Sequence, residues 1–402
     1  MVMCLVAHAG AALAQPISQR GFVDGSGWVF LEPTPHDGTQ LIGDMLVRED
    51  VFVTLQPWLR VTAGAELRAN SHDQVTGGFS FLDRTARRPV AAVRTIKTTI
   101  SRGPITLDAG KQFVRWGKTD IVVPTDRFAP RDVLNVVDSA FLADVGIRGT
   151  AELGPYTVEG VWVPWFTPSR IPLVDQRWVQ RPAQLPPDVT LVETPPSFPR
   201  GSQVGARFGH ILGRVEYALS IYNGFNSFPD IAVTPNRSGA VEFQRVYPPI
   251  RTLGGDLSVP LPWFIIKAEA AYVTSSSNAT DEYVLYVAQV ERQQGEWVFV
   301  GGYAGEAVAR RRSLLTFDPD RGLSRSIVGR TSYTFDARRS LDIQAAVRQN
   351  GDGLYFKAEY SQTGGSHWRT TIATVALAGA RDDFIGQYQD NSHVRFTVRY
   401  SF

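Results

Sequence analysis

The last nine residues, Val394-Arg395-Phe396-Thr397-Val398-Arg399-Tyr400-Ser401-Phe402, alternate apolar and polar without a break. A period of two places Val394, Phe396, Val398, Tyr400 and Phe402 on one face of an extended strand. Arg395, Thr397, Arg399 and Ser401 occupy the other face. A strand whose apolar face met water would not finish on a large aromatic residue. A strand with lipid on one side and a watery lumen on the other would.

The same rhythm runs through the rest of the chain. A weak first strand, Gly27 to Leu31, precedes Met45 to Gln56, which turns at Pro57 into Trp58 to Asn70. Pro89 to Ile100 then turns at Arg102-Gly103-Pro104 into Ile105 to Trp116. Later pairs turn at Gly154-Pro155, Gly213, Pro260-Leu261-Pro262, Gly295, Asp336 to Arg339 and Gly364-Gly365. Between the pairs lie long irregular connections, above all 117–143 and the proline-rich 164–201, whose prolines preclude a continuous strand. The count is about 18 strands of about 9–12 residues, with 16 as the alternative. The spacing predicts an all-β chain forming one antiparallel transmembrane β-barrel, with short periplasmic turns and long extracellular loops.

Tryptophan placement agrees. Trp58, Trp263, Trp297 and Trp368 fall beside short turns, and Trp116, Trp162 and Trp165 at the opposite strand ends. Two aromatic girdles are what an embedded barrel needs. The tail itself resembles the closing strand of bacterial outer-membrane barrels, which commonly ends in an aromatic residue.

Composition removes several other classes. With 43% hydrophobic and 20% charged residues, the chain is too polar for a bundle of membrane helices, and no window holds 18 apolar residues in a row. A net charge of +2 with scattered Lys and Arg gives no nucleic-acid footprint. Residues 1–14 are small and apolar and end in Ala12-Leu13-Ala14, which fits a signal-peptide cleavage site, although no Lys or Arg precedes them. The barrel is then 15–402. The one cysteine, Cys4, belongs to the leader, so disulfide and thiol chemistry are not expected.

The densest polar run begins at Gly110-Lys111-Gln112 and continues through Trp116-Gly117, Asp120, Pro124-Thr125-Asp126 and Pro130-Arg131-Asp132. These runs resemble a family of porin-like outer-membrane β-barrels of Gram-negative bacteria, most clearly over the N-terminal third and the closing strand. The resemblance implies an outer-membrane channel or uptake protein and carries no substrate with it. If this connection folds inward, Arg115, Lys118, Asp120, Asp126, Arg127, Arg131 and Asp132 would set a transverse field at a pore constriction. The alternative is that they pair with one another and only pin the loop to the wall.

The alternation also assigns lumen-facing side chains. Nine are basic: Arg60, Arg68, Arg207, Lys267, Arg330, Arg348, Lys357, Arg395 and Arg399. Five are acidic: Glu66, Glu216, Glu269, Asp342 and Glu359. The basic excess predicts a wall mildly favourable to anions. The reading is a channel for passive or facilitated passage of small solutes, with no cofactor. Its expected partners are outer-membrane lipid, the solutes, and the barrel-assembly machinery through the strand ending in Phe402. By analogy with porins the assembly would be a homotrimer.

Three other functions compete with this one. A plugged transporter for hydrophobic compounds would use the aromatic loop Pro164 to Pro199, with Trp165, Phe166, Trp178 and Phe198 as a cap. A barrel enzyme of the lipase or protease type would need a Ser–His pair, offered only across Asn70-Ser71-His72 and Asn391-Ser392-His393. A receptor with an N-terminal plug domain does not fit strands that begin so early. No histidine–carboxylate spacing suggests a metal site.

Overall fold

Strands whose side chains alternate between two environments bury neither face alone, and here they solve this by closing into a ring. The computed structural model describes residues 17–402 apart from 36, 180–190, 236–240 and 313–314. The wall strands are β1 (Ile17–Phe30), β2 (Leu41–Gln56), β3 (Leu59–Asn70), β4 (Arg88–Arg102), β5 (Ile105–Gln112) and β6 (Asp144–Leu153). They continue as β7 (Tyr156–Val163), β8 (Gln203–Leu212), β9 (Val215–Phe225), β10 (Pro249–Pro260), β11 (Ile265–Ser275) and β12 (Glu282–Gln294). The ring is completed by β13 (Trp297–Arg310), β14 (Ser326–Asp336), β15 (Arg339–Arg348), β16 (Gly353–Gly364), β17 (Trp368–Gly379) and β18 (His393–Ser401). Each pairs antiparallel with the next, and β18 returns to β1 from Phe22↔Ser401 to Phe30↔His393. Eighteen strands and an even count match the expected barrel.

Phe402 extends that seam: its amide donates to the Gly21 carbonyl (3.0 Å), and its carbonyl accepts from the Gly21 amide (2.9 Å). Its ring lies against Gly21, where a methyl group would meet it at 2.6 Å. The predicted first strand, Gly27 to Leu31, is too short. Its true start at Ile17 is hidden because Gly21 and Gly25 dilute the apolar face. Asp24 and Ser26 instead face inward, to Arg399 and Thr397. The predicted fifth strand also ends early, at Gln112 rather than Trp116.

Short and long connections alternate as the sequence indicated. The turn at Gly154, with φ of +65°, is one of several that need a left-handed residue. Trp58, Trp263, Trp297 and Trp368 are exposed beside the turns, and Trp162 and Trp165 are exposed at the far end. Trp116 departs from the expected girdle: it is 3% exposed and sits inside the barrel, because the chain bends inward after Gln112.

The loop end of the lumen is filled. One apolar cluster joins Val114, Trp116, Val122 and Phe128 of the connection 113–143 to inward residues of β7 and β9–β13, including Val161, Tyr222, Val273 and Leu285. On the other side, Trp178 (from 164–202), with Ile385 and Tyr388 (from 380–392), packs on Trp28, Ile42, Val328, Ala346 and Val375. Ile121 and Leu323 touch both clusters. Above them the hairpin Asp230–Pro235 and Val241–Val246 pairs with Leu191–Glu193 and Leu315–Thr316, tying three loops together. The two clusters leave one sector of the interior, along β2–β4, to charged groups.

Candidate functional site

The motif runs of the chain are what fold the connection 113–143 into the lumen. Gly110 has φ of +129°, and a side chain there would drive into the backbone of Ile96 and Lys97. Lys111 is fully buried and donates to Asp83 (2.5 Å) and to the carbonyls of Phe81 (2.6 Å) and Val93 (2.7 Å), which uses all three of its protons. The Trp116 indole donates to Glu159. Glu269 of β11 then gathers five donors: the amides of Lys118 (3.0 Å), Thr119 (3.3 Å) and Thr125 (2.7 Å), and the hydroxyls of Thr119 (2.9 Å) and Thr125 (2.8 Å). A wall carboxylate predicted to line the lumen therefore anchors the loop.

From that anchor the loop crosses the barrel. Asp120 accepts from Lys267 (3.1 Å) and Gln289 on β11 and β12. Asp138 accepts from Arg395 of β18 (2.8 Å) and from the Trp28 indole of β1 (3.4 Å). Burial would raise the Asp138 carboxyl, but the neighbouring Arg395 and Lys357 hold it below its ordinary range.

Along β2–β4 a cavity of about 60 Å³ remains, walled by five guanidiniums, Arg48, Arg68, Arg88, Arg94 and Arg170, against three carboxylates, Glu66, Asp83 and Asp132. Asp132 is the hub: it accepts from Arg88 Nε (2.8 Å) and Nη2 (2.7 Å) and from Arg170 Nη1 (3.3 Å). Arg170 also reaches Asp83 (2.8 Å), which holds Lys111. Burial works to raise the Asp132 carboxyl, and the Arg88 and Arg170 guanidiniums overcome it and hold it far below the usual range. Toward the turns, Arg48 pairs with Glu66 (2.7 Å) and Arg94 with Glu66 (3.3 Å) and Asp50 (3.7 Å). Arg94 also lies 4.6 Å from the Phe113 ring. The result is a file of guanidiniums down one side of the interior, beside the two apolar clusters.

The seven predicted constriction residues do not form one ring. Asp132 belongs to the arginine file. Lys118 pairs with Glu216, and Asp120 with Lys267, across the lumen on the β9–β12 side. Arg115 pairs with Asp126 and lies 3.6 Å over the Phe141 ring. Burial pushes the Asp126 carboxyl up to about 6 against the pull of Arg115 and the Trp116 amide. Arg127 and Arg131 line a second, smaller cavity of about 20 Å³ with Asp126, Asp318 and Asp320. Arg131 donates to Asp320 (2.6 Å), and burial beside Asp320 raises the Asp318 carboxyl.

The predicted wall residues face inward, and most are paired. Arg207 holds Asp256 (2.8 Å), Lys267 also reaches Glu291 (2.8 Å), and Arg330 holds Asp342 (2.6 Å). Arg348 holds Asp383 (2.8 Å), Lys357 and Arg395 share Glu359 (3.2 and 3.0 Å), and Arg399 holds Asp24 (2.6 Å). Arg68 is 4.0 Å from Asp44. Only Arg60 of the nine bases has no carboxylate partner among the described residues. The basic excess counted along the wall is therefore largely neutralised, and of its nine bases only Arg68 belongs to the arginine file. Sequence reasoning missed Arg48, Arg88, Arg94 and Arg170.

The two Ser–His triplets are separately employed. His72 pairs with Asp37 (2.5 Å) and Ser71 accepts from the Gly43 amide (2.8 Å). Ser392 accepts from the Leu377 amide (3.0 Å), and His393 Nδ1 lies 2.8 Å from the Asn391 carbonyl. In the aromatic loop Phe166 and Trp178 are buried as packing, while Trp165 is exposed and Phe198 stacks on Tyr247.

No protein-family model matches the sequence, and no curated protein matches it. Solved structures do. OccAB4 of Acinetobacter baumannii superposes with a TM-score of 0.59 at 9% identity, covering 97% of this chain and 99% of that one. A BenF-like porin from Pseudomonas fluorescens Pf-5 gives 0.57 at 11% identity, covering 96% and 98%. OccK2 (OpdF) of Pseudomonas aeruginosa, solved in complex with glucuronate, gives 0.57 at 12% identity, again covering 96% and 98%. End to end, this chain has the fold of these outer-membrane porins.

Proposed function

We propose that the protein is an outer-membrane channel that passes small organic anions along the arginine file between β2–β4 and the infolded loop. The observation that carries this reading is the cavity lined by Arg48, Arg68, Arg88, Arg94 and Arg170, which retains more guanidiniums than carboxylates. Guanidiniums are permanently charged and match carboxylate geometry, and successive sites along one wall let an anion be handed on rather than trapped. The glucuronate held by OccK2, a porin of the same fold, is a small organic carboxylate. In this reading residues 1–14 direct export and are removed, and the Phe402 strand is presented to the assembly machinery.

The test compares a carboxylate with a neutral sugar of similar size in proteoliposome swelling, sodium glucuronate against glucose. Faster entry of the anion, reduced by Arg94→Gln, supports the reading. Equal entry of both solutes, unaffected by Arg94→Gln, contradicts it.

A further inference from the structure

The barrel wall has a notch between β13 and β14. On its β12 side β13 stays paired as far as Glu282↔Arg310. On its β14 side pairing stops at Ala304↔Ser326. Beyond that point the two chains diverge. Arg312 is drawn toward β11 and β12, with its guanidinium on the carbonyls of Ser275 (3.0 Å) and Ser277 (2.5 Å) and on Glu282 (2.7 Å). On the other flank Arg325 takes a left-handed conformation, with φ of +56°, and Leu323 turns into the lumen against both apolar clusters. Residues Gly305 to Arg310 are therefore left with an open edge toward β14.

That edge begins at membrane depth. Gly305 stands eight residues beyond Trp297 of the turn-side girdle, about 26 Å along the strand and about 20 Å in height at a tilt of about 40°, within an apolar band about 25 Å tall. Open strand edges are not tolerated against lipid unless they line a polar cavity. Such a cavity is present: about 540 Å³, lined by Tyr286, Tyr303, Glu306, Arg325, Arg348, Gln349 and Asn350. Tyr286 and Tyr303 lie on the outward faces of β12 and β13, whereas Glu306 and Arg348 belong to the interior network with Arg321 and Asp383. Gly305 is what lets the Tyr286 ring lie across β13, since any side chain there would collide with it. The Tyr303 hydroxyl donates to Gln349 (2.7 Å) on the far side of the gap.

The charge at this opening is unbalanced. Glu306 is held by Arg321, and Arg348 by Asp383 (2.8 Å). Arg325 is exposed and has no ion-pair partner among the described residues. An unpaired guanidinium at the mouth of an aromatic-lined gap in the lipid-facing wall suits a molecule that is apolar in its body and anionic at its head. We propose that the notch is a lateral binding site for a single-chain organic acid drawn from the membrane, its body against Tyr286 and Tyr303 and its carboxylate on Arg325. The volume falls in the range of about 300–1,000 Å³ that encloses one small organic ligand.

The test is photolabelling in nanodiscs with three diazirine probes: dodecanoate, dodecanol, and a two-chain phosphatidate. The probes are applied to the wild-type protein and to Arg325→Asn, a substitution that removes the charge and tolerates the left-handed backbone. Gel mobility before and after heating confirms that each variant is folded, and single-channel conductance reports the aqueous path separately. Dodecanoate is expected to label the segments carrying Tyr286 and Tyr303, with apparent affinity falling at least about tenfold in Arg325→Asn. Dodecanol labelling is expected to be unchanged by the substitution. Preferential labelling by phosphatidate would assign the notch to resident lipid and overturn the proposal. Equal labelling by dodecanoate and dodecanol, indifferent to Arg325, would also overturn it. Either result leaves anion passage along β2–β4 untouched, so the two readings fail separately.

Discussion

Replacing Asp132 by Asn should release the infolded loop from the arginine file without breaking the barrel. Asp132 carries three charge-assisted hydrogen bonds, from Arg88 (2.8 and 2.7 Å) and Arg170 (3.3 Å), and all three side chains are less than 10% exposed. An asparagine keeps the volume but leaves the buried Arg88 guanidinium without its carboxylate and Arg170 with Asp83 alone. Removing one partner of a buried pair costs about 3–5 kcal/mol, or roughly two to four factors of ten in the docking equilibrium. Other anchors resist undocking, chiefly the five donors on Glu269 and the Asp138–Arg395 pair (2.8 Å), so the loss is confined to Arg131 to Leu134 and the Ala140 to Leu142 stretch paired with it, on either side of Asp138. None of those groups carries the hydrogen bonds that close the wall. The assay is single-channel recording together with amide hydrogen exchange. Expected are frequent sub-millisecond excursions to a higher conductance, faster exchange at Val133 and Leu142, and unchanged exchange in β15–β18. A trace as quiet as wild type, with the exchange of Val133 unaltered, would refute the argument that this carboxylate pins the loop.

Three further outcomes follow from the same geometry. Arg94→Glu changes the cavity charge by two and should move the reversal potential in a salt gradient toward cations, while Arg330→Glu, on the opposite wall, should move it much less. Asp126 has a folded-state carboxyl raised to about 6, above its unfolded value near 3.9, so the folded state binds its proton more readily. Stability from this group therefore falls as pH rises from about 4 to about 6 and is flat above; functionally, acidification from pH 7 to 5 neutralises Asp126 and frees Arg115, raising anion selectivity with a midpoint near 6 that Asp126→Asn abolishes. Lys111→Met leaves Asp83 buried without its ammonium and removes donors to two carbonyls; it should lower the thermal transition and cost about 3–5 kcal/mol, measurable as earlier loss of heat-modifiable mobility.

The barrel was legible because lipid and lumen impose a strict period of two on each wall strand, most cleanly in Val394 to Phe402. The first strand was the exception, since Gly21 and Gly25 weaken its apolar face while the seam to β18 supplies the pairing. The infolded loop was flagged through its charged motif residues, but their destinations were not. Glu269, Asp320 and Arg395 are its partners across 130 or more residues of chain, and no local pattern joins them. Of the arginine file only Arg68 was read from the alternation, and two of the others were hidden for different reasons. Arg94 is the extra residue of a β-bulge, between Val93↔Ala65 and Thr95↔Gly64, so alternation assigns it to neither face. Arg170 lies in the proline-rich connection, where periodicity says nothing. Conversely, most wall cations counted from alternation are ion-paired, and side-chain spacing on one strand does not reveal the acids on its neighbours. Asp24, opposite Arg399 on the adjacent strand, and Asp256, two strands away from Arg207, appear only once the register is known.

The central claim is tested most directly by single-channel recording of the refolded protein in planar bilayers under a salt gradient. Discrete conductance steps with a reversal potential on the anion-selective side, shifted toward cations by Arg94→Glu, are the predicted result. A folded, heat-modifiable barrel that conducts nothing, or one that conducts with a cation-selective potential indifferent to Arg94, would contradict it.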